Sequence, residues 1–512
     1  MGVRFVTAEQ AVALVPDGAT VGLVGGGGGL VEPTLLHEYV EKRFLDSGHP
    51  NGLTCVHSLG IGDRESRGMN RFAHEGMVQR VIGGHWVWSP RMQQLAKENK
   101  IEAYVLPGGV LMQLMREVAA KRPGLITHVG LGTFVDPLLD GGRMNESATE
   151  SLVERIAIDG KDYLRYLPIP IDVALLKGSS VDDDGNIGLD EEPANLDLYA
   201  MAAAAHNSGG TVIFQVRRRV PAGSLPARSV RMPSAIVDAV VVDPEQRQSY
   251  DLIYDPSISG ESKNEDSRPD SPDFSLRLVI ARRAEAELRD GAVINFGFGI
   301  PDQVASIIAA EGRQDRYYQT IEHGTYGGDL LTGDLFGYAR NPSAMIDAPS
   351  QFDFYSGGGL DIAFLGFGQI DREGNVNASK LDGVTVGPGG FIDIAQNSRK
   401  VVFCGTFDAK GARIETGDGK LKLLRPGGVR KFIESVDQIT FSGKQALAQD
   451  QEAIYVTERA VFRLREAGLE LIEIAPGIDL QKDVIDQMNF EPLMPKPPAI
   501  MDRGIFIDSS RG

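Results

Sequence analysis

The chain has 512 residues, of which 42% are hydrophobic and 24% charged, and its formal net charge at pH 7 is -18. These fractions are ordinary for globular proteins and exclude a largely disordered or membrane-embedded chain, while the length exceeds that of one small domain. The acidic surplus argues against a general nucleic-acid binder, because phosphate backbones are held by excess Lys and Arg; a single phosphorylated small molecule needs only a local basic spot.

Met1-Gly2-Val3-Arg4-Phe5 lacks the charged-then-apolar pattern of a leader, and Val21 to Val24 is too short to span a membrane. A cytoplasmic protein with no membrane partner is expected. Val21 to Val24 reads instead as a buried strand ending in Gly25 to Gly29. A helix is expected to start near Pro33, since proline suits the first helical turn and Leu36, Tyr39 and Val40 follow at helical spacing. The five glycines suit a tight strand-to-helix turn, which is preferred over a backbone surface for phosphate or pantetheine. Neither His37-Glu38 nor His74-Glu75 extends to an HExxH zinc pattern, and no metal is expected. Cys55 and Cys404 are the two cysteines, far apart, so there is no disulfide framework and a reducing compartment fits.

The chain is internally duplicated. Asp172-Val173-Ala174-Leu175-Leu176 leads to Asp182-Asp183-Asp184-Gly185-Asn186-Ile187, and Asp361-Ile362-Ala363-Phe364-Leu365 leads to Asp371-Arg372-Glu373-Gly374-Asn375-Val376, with Asp172 to Asp361 and Gly185 to Gly374 both 189 residues apart. Ala205-His206-Asn207-Ser208 matches Ala395-Gln396-Asn397-Ser398, and Asp17-Gly18-Ala19 matches Asp290-Gly291-Ala292. Short buried strands alternating with helical segments give the expected fold class: α/β, two similar open α/β domains fused in one chain. The polar, proline-bearing stretch 257–273 reads as a connector between an N-terminal domain, 1–256, and a C-terminal domain, 274–512.

In the second half, Val293 to Phe296 is a strand that ends in Gly297-Phe298-Gly299, and a helix is expected near Pro301, continued by Val304, Ile307 and Ile308. Strand, glycine turn and helix place free backbone donors at the carboxyl edge of a sheet, where α/β folds bind ligands. Next comes Thr320-Ile321-Glu322-His323-Gly324-Thr325-Tyr326-Gly327-Gly328, one carboxylate between an apolar run and a glycine cluster. A thioester could approach Glu322 there, because backbone comes close where side chains are absent. Gly387-Pro388-Gly389-Gly390-Phe391 follows, paired by the duplication with Asp197-Leu198-Tyr199-Ala200, where no glycine stands, so the copies differ as a catalytic copy would from a supporting one. No glycine run completes a GxGxxG, GxxxxGK[ST] or GxSxG pattern, which removes support for nicotinamide enzymes, nucleotide triphosphatases and serine hydrolases.

The residues from Thr320 through Phe403 resemble the family I coenzyme A transferases, and within them the single-chain propionate/acetate, short-chain acyl type. The match is carried by Glu322 with Gly324, Gly327 and Gly328, by Gln351 through Gly366, by Gly374-Asn375-Val376-Asn377 and by Gly387 through Phe391; Gly130 through Pro137 and Gly141-Gly142 extend it to the first half. The resemblance implies that Glu322 is the nucleophile. It attacks an acyl-CoA to give an acyl-glutamyl anhydride, and the released thiolate then forms a glutamyl-CoA thioester. A carboxylate acceptor repeats the steps in reverse. It further implies oxyanion and CoA contacts at Gly297, Phe298, Gly299, Gly389 and Gly390, with donors at the Phe298 N-H and at Gly389 or Gly390. Coenzyme A as substrate, small carboxylic acids as co-substrates and a homo-oligomer are implied likewise, with no metal, nicotinamide or nucleic acid.

The chemistry asks for these residue types, since a carboxylate is a weak nucleophile unless desolvated and aimed, and both covalent intermediates hydrolyse if water enters. The sequence departs from the family pattern where Gly327-Gly328 continues into Asp329-Leu330-Leu331 without a proline, and where His323 replaces a smaller residue. These changes bear on the acyl pocket. An acyl-CoA hydrolase or lyase-type subunit on the same fold, and a non-catalytic binding protein, are the alternatives.

Overall fold

The structure is a computed structural model that describes residues 2–264 and 271–508. The chain forms two compact units, the first made of Met1–Asn264, Ile321–Asp353 and Asp382–Asp393, the second of Glu265–Thr320, Phe354–Leu381 and Ile394–Gly512.

The first unit is built on a parallel sheet in the order Arg4–Phe5, Ala239–Val242, Thr211–Val220, Val173–Asp182, Thr20–Leu23, Leu53–His57, Val78–Gly83, Glu102–Val105. Every residue of the central strand Val173–Asp182 is buried, as a parallel strand covered on both faces demands. The strand Thr20–Leu23 enters the glycine turn, and the helix Thr34–Ser47 follows with Pro33 at its N-cap. The five glycines are packed tightly: a Cβ on Gly27 would overlap the Trp88 ring, and Gly28, at φ +70°, lies against the carbonyl of Asp334. The turn reading therefore has a packing reason.

In the second unit, Tyr318–Ile321, Val293–Phe296, Ile362–Gly366, Lys400–Cys404 and Glu452–Val456 run parallel in that order, and Ala460–Arg465 and Gly468–Ile474 extend the sheet antiparallel. The helix Asp302–Ala310 follows the Gly297 turn with Pro301 as its N-cap.

The duplication is visible in the register. Val173 pairs with Thr211 and Val21 in one sheet, and Ile362 pairs with Lys400 and Ile294 in the other. Asp172 accepts the Thr20 N-H at 2.8 Å and Asp361 the Val293 N-H at 3.0 Å, so each copy ties neighbouring strand starts in the same way. The Asp-x-x-x-Asn turns also match: Asp182 accepts from the backbone of Asp184 and Asn186 and from the Asn186 amide, and Asp371 from those of Glu373 and Asn375 and from the Asn375 amide. The copies diverge at the next helix. Leu198–Asn207 starts directly after Asp197, whereas its counterpart starts only at Phe391, and the intervening length is Pro388-Gly389-Gly390.

The compact units do not follow the boundaries 1–256 and 274–512, because two segments of the second half hydrogen-bond to the first: Ala348 N-H donates to Leu196 O, Trp86 N-H to Val386 O and Gly389 N-H to Gly84 O. Of the expected connector, residues 265–270 lie outside the described residues, and the helix Pro256–Ser259 includes its first positions. Among the described residues no helix is long and apolar enough to cross a membrane.

The Asx turn at Asp371 yields a stability prediction. Asp371→Ala leaves four donors, the backbone N-H groups of Glu373, Asn375 and Val436 and the Asn375 amide, without their acceptor in a buried site, which costs about 2 to 4 kcal/mol, so thermal denaturation should show a melting temperature lower by several degrees.

Candidate functional site

Glu322 is the first residue after the strand Tyr318–Ile321, where the sheet edge gives way to the loop before Thr325–Tyr326. Its side chain keeps 21% exposure, the opening a substrate would use. Burial of the rest pushes its carboxyl up to about 7, and the nearby Gly390 N-H acts in the opposite direction. The approach is close: a Cβ on Gly390 would collide with Glu322 Oε2 and lie 2.8 Å from Phe352 Cζ, so glycine is required there.

Gly389 has a different task from Gly390. Its N-H is bound to Gly84 O and its carbonyl accepts the Gly108 N-H, both at 2.8 Å. Of the two glycines at which an oxyanion donor is expected, Gly389 thus has its N-H engaged by backbone, while Gly390 lies against Glu322 Oε2. Gly297, Phe298 and Gly299 belong to the second unit, in the turn between Val293–Phe296 and Asp302–Ala310. There the Gly297 N-H donates to Phe364 O at 2.8 Å and the Gly299 N-H to Asp302 at 2.9 Å.

The imidazoles near the nucleophile are held neutral. His323 is buried, which lowers its pKa to about 4 despite the Gly337 carbonyl at 3.0 Å from Nδ1; its Nε2 stands 3.9 Å from Glu322 Oε1. A Cβ on Gly337 would overlap the His323 ring, so this histidine is clamped in place by the hairpin that pairs Asp329–Leu330 with Ala339–Arg340. That hairpin is what replaces a proline after Gly328. His85, whose Cβ and Cδ2 lie 3.8 and 3.9 Å from where a Gly389 Cβ would be, is half-buried, and desolvation lowers it to about 4.

The motif reading assigned no role to Asp393. It is fully buried, in the first turn of the helix Phe391–Asn397, and accepts the Gly109 N-H at 3.2 Å. Burial pushes its carboxyl up to about 8; the Gly109 N-H opposes this and the Glu322 carboxylate adds to it. In sequence, an acid in a helix's first turn reads as an ordinary partner of the helix dipole, so only the fold shows which backbone it meets. Among the described residues no group of three or more His, Cys, Asp and Glu could hold a metal ion. Cys55 and Cys404 are both buried as free thiols.

Comparison with known proteins follows this geometry. The Coenzyme A transferase family profile matches residues 5–243. The acetate CoA-transferase YdiF of Escherichia coli strain K12 is 43% identical over 511 residues, covering 100% of this chain and 96% of that protein. The caffeate CoA-transferase of Acetobacterium woodii is 43% identical over 518 residues, covering 99% and 98%. The crystal structure of the acyl-CoA transferase YdiF of Escherichia coli O157:H7 as a thioester complex with CoA has a TM-score of 0.95 at 42% identity, covering 100% of this chain and 97% of that one. With two full-length relatives at this identity, the chain belongs to the coenzyme A transferase family, as a single-chain family I CoA-transferase.

Proposed function

We propose that the protein transfers coenzyme A from an acyl-CoA to a free carboxylic acid through a glutamyl-CoA thioester on Glu322. The observation that carries this reading is the mostly buried Glu322 carboxylate lying against Gly390, where a Cβ would stand 2.1 Å from Oε2. Glu322 attacks the thioester carbonyl, the C-S bond breaks, and an acyl-glutamyl anhydride and CoA thiolate result. The thiolate attacks the glutamyl carbonyl and expels the donor carboxylate, leaving Glu322 as the CoA thioester. An acceptor carboxylate attacks that thioester to give a new anhydride, and the thiolate then takes the acyl group and frees Glu322. No net proton is required.

In the thiolate step the oxyanion forms on a Glu322 oxygen, and the Gly390 N-H is the proposed donor to it, since Gly390 lies against Glu322 Oε2. A donor of this kind is worth about 3 to 4 kcal/mol of barrier in other acyl-transfer enzymes. The Phe298 N-H, in the turn with Gly297 and Gly299, is retained as the second donor on the family resemblance. The relatives named for acetate and for caffeate differ widely in acid size, so small monocarboxylic acids are the proposed substrate class. A cytoplasmic homo-oligomer is proposed with it; the buried free thiols fit a reducing compartment.

Incubation with acetyl-CoA and no acceptor should leave a CoA adduct on the Glu322 peptide by mass spectrometry. Active protein without the adduct, or Glu322→Ala with full transfer activity, would refute the assignment. Because the nucleophile must be ionised and burial raises its pKa to about 7, adduct formation should rise with pH with a midpoint near 7 and fade below it.

The same shift has a stability consequence. The folded pKa lies above the ordinary value of 4.5, so the folded state binds the proton more tightly and loses stability as pH rises from 4.5 through 7. Glu322→Gln removes that penalty, and above pH 7 it should be more stable than the native protein by up to about 3 kcal/mol, with little difference at pH 4. Chemical denaturation at both pH values measures it.

A further inference from the structure

Two successive N-H groups of one helix hold the segment that presents Gly390. The helix Gly108–Ala119 donates the Gly108 N-H to Gly389 O at 2.8 Å and the Gly109 N-H to Asp393 Oδ2 at 3.2 Å. The carbonyl of Gly389 and the N-H of Gly390 belong to one planar peptide, and in a trans peptide they point in opposite directions. The helix end therefore holds one side of this peptide, and Gly390 on its other side lies against Glu322, where a Cβ would stand 2.1 Å from Oε2. Gly389 N-H to Gly84 O fixes the preceding peptide.

We propose that Asp393 is a positioning residue for Glu322, clasping the first turn of Gly108–Ala119 so that the Gly390 N-H stays aimed at the nucleophile. A buried carboxylate is costly unless bonded, and nothing in the chemistry of CoA transfer consumes this one. Its place three residues after Gly390 makes it the far end of the clasp whose near end is Gly389. Phe352 fills the angle between: a Cβ on Gly390 would meet its Cζ at 2.8 Å, and one on Gly109 would overlap the same ring and lie 2.6 Å from Asp393 Oδ1. Close packing on both glycines leaves the clasp little slack, so loss of the Asp393 acceptor would be felt at Gly390.

The proposal rests on Glu322 as nucleophile, and single-turnover adduct formation with acetyl-CoA separates the two. Asp393→Asn keeps an acceptor oxygen for the Gly109 N-H, and Asp393→Ala removes it. The alanine variant should form the Glu322 adduct about 10- to 100-fold more slowly, with KM for acetyl-CoA changed less than about threefold, and the asparagine variant should stay within about threefold of the native rate. An alanine variant as fast as the native protein, or an asparagine variant as slow as alanine, overturns the clasp. If thermal melts show that the alanine variant does not fold, the asparagine variant decides alone: within about threefold sustains the proposal, and a loss beyond about tenfold overturns it. Absence of the adduct in the native protein would refute the nucleophile itself instead.

Discussion

One contact organises the proposed chemistry: the carboxylate of Glu322 lies against the Gly390 backbone, where a Cβ would stand 2.1 Å from Oε2. A carboxylate out of water is a stronger nucleophile and a less stable ion, and a single aimed donor offsets part of that cost without neutralising it. Side chains could not do this as well. An ammonium or guanidinium would bind the carboxylate and quench it, whereas a peptide dipole fixed by the fold keeps its position as charge moves from carboxylate to oxyanion.

The rest of the first unit serves that contact by removing side chains where backbone must pass. The Gly84, Gly108 and Gly389 backbones are joined by hydrogen bonds of 2.8 Å, and a Cβ on Gly84 or Gly108 would strike neighbouring main chain. His85 and His323 line the same region as neutral rings, so the site is polar in its directed donors and otherwise weakly charged. The tolerance for burying an ion is then a cost to stability that activity requires, the trade-off common at catalytic sites.

Much of this was legible in the sequence, and the reasons differ by residue. Buried parallel strands read as short apolar runs, so Val293 to Phe296 was found to the residue and Val21 to Val24 missed by one position. The duplication was legible because Asp172 and Asp361, and Asp182 and Asp371, perform identical local bonding in each copy, which fixes residue type and spacing. Glu322 and the Gly387 to Gly390 turn stood out for the same reason, as sequence-local demands on backbone. Asp393, His85 and Phe352 did not, because each meets a partner in a distant part of the chain, Gly109 for Asp393 and Phe352 and Gly389 for His85, and nothing local marks such an acid or ring. The division into compact units was hidden likewise: Ile321–Asp353 and Asp382–Asp393 follow their hydrogen bonds to the first half and not their place in the repeat.

In the proposed mechanism the raised carboxyl pKa of Glu322 is the property from which nucleophilicity, pH dependence and the stability cost all derive. Infrared difference spectroscopy of the carboxylate stretch across pH, with Glu322→Gln protein subtracted, reads it directly. A titration midpoint near 7 is the predicted result. A midpoint close to 4.5, the value of an ordinary solvated glutamate, would contradict the account.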